Sequence, residues 1–297
     1  MKKIILLCLL SLQLISCFNS RETARREKTS NNPFFAYNFG GLENLPPAQQ
    51  IKLLKDNGYD GITLRMAEAE HVVAFNDFFE VVKKTEGFKI YSVFVRYNFA
   101  DSEEDRNRWK AVVDIIQNRD IDLWFIFGKQ EIGVDDEKVE DILRNVVDYS
   151  ASKNVSVTLY PHSWCYFETA EQSLPMVKKI NHPNLKLAVH TCHELKAGNA
   201  GRLPEIVHKV KDYISFVTIA GASKQLDTSS RKAMDATTIQ PLEDGVYDFG
   251  PFLKALKKAD FKGPIGYINF KIAKEPEDYL SKSLAEWKRL KNIYLNY

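Results

Sequence analysis

The chain has 297 residues, with 41 basic and 39 acidic side chains and a formal net charge of +2. So even a balance offers no general cationic footprint for nucleic acid. No apolar run is long enough to span a bilayer as a permanent helix.

The elements begin with a targeting pattern. Lys2 and Lys3 precede an apolar run from Ile4 to Ile15, interrupted only by Ser11 and Gln13, which reads as the h-region of a signal peptide. The run closes Leu14-Ile15-Ser16-Cys17, similar to a bacterial lipobox. This predicts a signal peptide over 1–16 and a lipid on Cys17 that holds the chain to a cell-envelope membrane without a spanning helix. The alternative is an ordinary signal peptide with a chance cysteine. Residues 17–33 are polar and charged, without apolar periodicity, and read as a flexible tether.

From Phe34 onward β-type and helix-type runs alternate. Strands are expected at 34–37, 61–64, 90–95, 123–127, 155–160, 185–189, 214–219 and 264–269. The intervening helices are expected at 47–57, 67–85, 103–117, 136–152, 169–180, 203–211 and 249–259, with a last one at 276–294. The strands are continuously apolar, as in a parallel sheet covered on both faces. Eight such units over 34–297 predict a (β/α)₈ barrel rather than a doubly wound sheet. Asn38-Phe-Gly-Gly-Leu after the first strand does not supply a dinucleotide-binding glycine pattern. The longest connection, 220–248, lies on the loop face that carries active sites and is expected to form a partial lid or a solvated loop.

Chemistry concentrates at two strand ends. Strand five runs into Tyr160-Pro-His162, and strand six into His190-Thr-Cys-His193-Glu194. Three of the six histidines therefore fall where a barrel places its active site. His162, His190 and His193 are candidates for a three-imidazole zinc or manganese site with water as a further ligand. Without metal, His162 or His193 would act as a general base, with Tyr160 as a proton donor. The third reading is that the imidazoles only hydrogen-bond one another and the backbone. Glu131 is the fallback acid/base. Arg65, Arg96, Lys129, Lys224 and Asn269 are candidates to hold a substrate's carboxylate, phosphate or hydroxyls. Cys165 and Cys192 follow the two key strands and either pair or lie near a metal.

Several stretches resemble the xylose-isomerase-like barrels, and more narrowly their exported sugar phosphate isomerase/epimerase-like members. These are Pro-x-x-Gln-x-x-x-Leu-Lys-x-x-Gly-Tyr-Asp-Gly at 47–61, Tyr160-Pro-His162, Cys192-His193, and Asp248-Phe-Gly-Pro-Phe-Leu-Lys-Ala-Leu with Gly263-Pro-Ile-Gly266. The resemblance implies proton transfer between sugar carbons by two glutamates that share a divalent metal with an aspartate and a histidine. At those four positions this chain offers Tyr160, His190, Thr218 and Asn269 or Ile268, while His193 retains the Asp-x-x-His histidine. The implied function is a sugar isomerase or epimerase, or a related lyase or hydratase, acting next to a carbonyl. The second reading is a carbohydrate-binding barrel without catalysis. A DNA-repair endonuclease is disfavoured by the charge and the altered ligands.

Overall fold

The computed structural model describes residues 31–296. The expected signal peptide, Cys17 and nearly all of the tether lie outside the described residues. Among the described residues no helix is long and apolar enough to cross a membrane.

Eight strands, all parallel, close into a barrel in chain order. They are β1 (Phe34–Tyr37), β2 (Gly61–Arg65), β3 (Lys89–Tyr97), β4 (Asp122–Phe127), β5 (Val157–Leu159), β6 (Leu185–His190), β7 (Ile214–Ile219) and β8 (Ile265–Tyr267). Successive side chains of a strand point to opposite faces, and the apolar residues sort accordingly into two packed layers. Phe34, Ala36, Phe125, Phe127, Leu187 and Val217 pack outward against the helices. Phe35, Tyr37, Phe94, Trp124, Ile126, Ala188 and Phe216 fill the interior. The fully buried Trp124 is the hub of that interior, with edge-on contacts to Phe35, Tyr160, His190 and Phe216 at ring-centre distances of 6.1, 5.3, 5.7 and 5.0 Å.

The outer helices are α1 (Pro47–Asn57), α2 (Ala69–Lys83), α3 (Glu103–Arg106), α4 (Arg108–Ile116), α5 (Asp136–Ser152), α6 (Ala170–Ile180), α7 (Thr191–Lys196), α8 (Leu203–Val210), α9 (Arg231–Thr238), α10 (Gly250–Lys258) and α11 (Pro276–Tyr294). The single helix expected over 103–117 is two, because Asn107 leaves helical geometry at φ −89° and ψ 0°. Two helices were not expected from the pattern. The first, α7, follows β6 with no intervening loop; the second, α9, lies within the 220–248 connection, so that segment is partly helical rather than wholly irregular.

The base of the barrel carries a polar chain. Thr158 Oγ1 donates to Asp122 Oδ2 at 3.0 Å and lies 2.8 Å from Ser215 Oγ. Burial pushes the Asp122 carboxyl up from its ordinary 3.8 to about 7. A carboxyl whose folded-state pKa is raised binds its proton more tightly in the fold. Its contribution is therefore present at low pH and lost as pH rises through the folded value. Relative to an Asp122→Asn variant, the native chain is expected to lose thermal stability between about pH 4 and pH 7, with no further change above. Parallel melting curves of the two proteins across that range would check this, and a constant difference would refute it.

The chain enters the barrel at this same base. Asn32, expected to belong to the tether, is fully buried, and its side-chain amide donates to the carbonyls of Phe261 and Gly263 at 2.9 and 3.1 Å. Order therefore begins before β1, because this amide bridges the start of β1 to the approach of β8. On the outside, Trp287 of α11 stacks on Phe34 with ring centres 4.7 Å apart.

Candidate active site

A cavity of about 590 Å³ opens at the carboxyl ends of the strands. One wall is aromatic: Phe39 lies 5.8 Å from Tyr37, 5.8 Å from Phe94 and 5.4 Å from Phe270, centre to centre. The opposite side is formed by Tyr160, His162, Trp164, Cys192 and His193. Arg65, Glu68, Arg96, Asp101, Asp105, Arg108, Lys196 and Asp235 supply the charge.

The two strand ends do bring His162 and His193 together, with ring centres 4.1 Å apart. Because α7 starts directly after His190, the chain leaves the strand there and His193 turns into the mouth. His162 Nδ1 lies 2.9 Å from the Ser163 carbonyl oxygen. A carbonyl can only accept, so Nδ1 carries the proton and Nε2 is left as a bare lone pair. His193 Nδ1 is held by Ser163 Oγ at 3.0 Å. Burial, assisted by the Arg96 charge, lowers the His162 pKa to about 4. Burial and the neighbouring imidazole of His162 likewise hold His193 well below the ordinary range. Both rings are neutral at pH 7.

Tyr37 donates its hydroxyl to Tyr160 Oη at 3.3 Å, which leaves the Tyr160 hydroxyl proton to be given elsewhere. Burial raises the Tyr160 pKa far above the usual phenol range, so the hydroxyl stays protonated while it accepts from Tyr37. Trp164 adopts φ 62°, an uncommon left-handed conformation for a bulky residue. Its backbone N–H is held by Glu168 at 3.0 Å, and Lys196 and Arg231 lie over its ring at 5.4 and 4.5 Å. Lys196 is joined to Asp235 of α9 at 2.6 Å, with side chains only 4 and 16 % exposed, and this ion pair pins α9 over the mouth.

Several expected site residues lie elsewhere. His190 is buried, its ring 3.7 Å from that of Tyr160 and its Nδ1 2.8 Å from Thr218 Oγ1. Among the described residues no group of three or more His, Cys, Asp or Glu side chains is placed to hold a metal ion, so the three-imidazole zinc or manganese site is not formed. The reason is that His190 is spent in the interior hydrogen bond and faces the barrel filling rather than the cavity. Glu131, Lys129 and Lys224 are exposed and do not line the cavity. Cys165 and Cys192 are free thiols; burial raises Cys192 to about 11, and Cys165 Sγ lies 3.6 Å from His162 Nδ1.

Asn269 is a structural residue rather than a substrate ligand. Its amide donates to the Phe39 carbonyl at 2.6 Å and to Tyr279 Oη at 3.0 Å. The Tyr279 hydroxyl in turn donates to the Gly40 carbonyl at 2.9 Å. Gly40 sits at φ +65° with the Asn269 carbonyl so close that any Cβ would collide at 2.3 Å. Asn269→Ala is expected to cost about 1–3 kcal/mol by orphaning these groups. Chemical denaturation would measure it, and an unchanged midpoint would contradict the role.

Lys196 escaped the sequence reading. Its spacing, three residues beyond His193, was the available signal once the segment is known to be helical.

With eight strands, a mouth-facing histidine pair and the chain order in place, residues 51–290 match the xylose isomerase-like TIM barrel family. The chain belongs to that family. No curated protein sequence matches it. Among solved structures of the same fold, it resembles the IolI protein with a bound zinc atom at 17 % identity and TM-score 0.72, over 89 % of this chain and 100 % of the other. A xylose isomerase domain-containing protein from Salmonella typhimurium LT2 follows at 16 % identity and TM-score 0.71, over 89 and 98 %. The 3-keto-D-glucoside 4-epimerase YcjR from E. coli matches at 16 % identity and TM-score 0.67, over 87 and 99 %. At this mouth the chain presents the phenol of Tyr160 and the imidazoles of His162 and His193.

Proposed function

We propose that this barrel is a sugar isomerase or epimerase-like enzyme that moves a proton at a carbon next to a carbonyl without recruiting a metal. The observation that carries the reading is the His162–His193 pair: two neutral imidazoles 4.1 Å apart lining the cavity, one with its Nδ1 proton engaged by a carbonyl so that Nε2 keeps its lone pair. In the step, His162 Nε2 takes the proton from the carbon. The C–H electrons form the C=C of an enol, and the carbonyl oxygen gains a proton from Tyr160 or His193. Return of a proton to the neighbouring carbon, or to the other face, completes isomerisation or epimerisation. The YcjR and allulose epimerase neighbours, which share the fold, are named for reactions of this class on sugars.

A second reading, a carbohydrate-binding barrel without turnover, is favoured by one observation. Each acid lining the cavity is held by a partner: Glu68 by Arg65, Asp101 by Asn98, Asp105 by Arg108 and Asp235 by Lys196. Incubation with a panel of ketoses and keto-sugars in deuterated water separates the two. Solvent deuterium entering the sugar at the carbon next to the carbonyl supports the enzyme; binding without exchange for any sugar supports the binder. We propose further that the chain is exported and lipid-anchored through Cys17. Expression of Cys17→Ser in a bacterial host should move the protein from the membrane to the soluble fraction, and unchanged membrane recovery would count against it.

A further inference from the structure

We infer that the substrate of this mouth carries a carboxylate, as a uronic or aldonic acid does, and that Arg96 is its anchor; the inference rests on the carbohydrate reading of the cavity. Arg96 follows Ser92 and Phe94 on the inward face of β3 and lines the cavity at the strand's end. The other cations that line the cavity are already paired. Arg65 pairs with Glu68 at 3.0 Å, Lys196 with Asp235 at 2.6 Å, and Arg108 with Asp105. Among the described residues Arg96 makes no hydrogen bond or ion pair, so this guanidinium has no direct partner, while the Asp101 carboxylate is engaged by the neutral Asn98 amide at 3.0 Å.

This unpartnered guanidinium faces the reacting groups. The charge of Arg96 bears on Tyr160, His162 and His193, all of which are uncharged at neutral pH. A neutral sugar would leave the guanidinium with water alone as its partner. One guanidinium offers a planar fork that matches the two oxygens of a carboxylate. A phosphate ester would bring nearly two charges to a single available cation. The match of one unpartnered guanidinium fork to one carboxylate therefore favours the carboxylate.

The test is calorimetric titration of the native protein and of Arg96→Gln and Arg96→Lys with D-glucuronate, D-galacturonate, D-glucose, D-galactose and D-glucose 6-phosphate. The uronates are expected to bind the native protein more tightly than their neutral counterparts and than the phosphate ester. Arg96→Gln should weaken uronate binding roughly tenfold to a hundredfold and leave the neutral sugars unaffected, with Arg96→Lys in between. Because Arg96 is exposed and unpaired, the variants should melt as the native chain does. Uronates that bind no better than neutral sugars, or equally well to Arg96→Gln, would overturn the inference, and preference for the phosphate ester would replace it with a phosphate site. The readout is binding, so it fails independently of the proton-transfer reading. Arg96-dependent uronate binding without deuterium exchange would sink only the latter.

Discussion

His162→Ala is expected to lower turnover of the true substrate by about 10²–10⁴-fold, the usual contribution of a positioned general base. The loss should fall on kcat, because the ring meets the substrate through Nε2 while Arg96 and the aromatic wall supply the binding. Burial has already lowered the His162 pKa to about 4, so the base is unprotonated across the neutral range. Activity should therefore be flat from neutrality down and fall only as pH approaches that value. Glu131→Gln serves as the contrast: the side chain is exposed and lies outside the cavity, and its replacement should leave kcat unaltered. Steady-state kinetics of both variants would decide between them, and a Glu131→Gln defect matching that of His162→Ala would reverse the assignment.

Trp124→Ala carries the largest expected loss of stability. The indole is fully buried at the centre of the barrel interior and touches Phe35, Tyr160, His190 and Phe216 from one side or another. Truncation leaves a cavity that rings held by eight strands cannot collapse to fill, at a cost of about 3–5 kcal/mol. Trp124→Phe should retain most of that stability. The same variants should disturb the mouth, since Tyr160 and His190 rest on the indole and Tyr160 lines the cavity. Urea denaturation with a fluorescent reporter other than this residue would measure the difference. A loss below about 1 kcal/mol would mean that the interior repacks far more freely than close packing allows.

The barrel was readable because each strand is apolar on both faces and each helix is bounded by proline, glycine or a capping residue. The β1 and β7 limits and those of the 47–57, 136–152 and 276–294 helices coincide with expectation. Misplacement occurred where pattern is silent. The helix at 191–196 starts inside Thr-Cys-His, residues with no helical preference, because the turn is set by docking on β7 and α9 rather than by propensity. Helix α9 is short and polar, capped by Ser230, and is held over the mouth by the Lys196–Asp235 pair, a contact 39 residues apart in sequence. The site divided along the same line. Arg65, Arg96, Tyr160, His162 and His193, all expected at strand ends, do line the cavity. The same rule was a poor guide for Glu131, Lys129 and Lys224, which are exposed outside it. His190 shows the converse error, since an inward residue one layer deeper belongs to the filling.

The Asn32 clamp has an architectural consequence. The amide that joins the approach of β8 to the start of β1 fixes the point of chain arrival at the amino-terminal rim of the barrel, the pole opposite the cavity. The described chain therefore enters the barrel on the side away from the opening, so an anchor at Cys17, as proposed above, would lead from the pole that leaves the cavity clear.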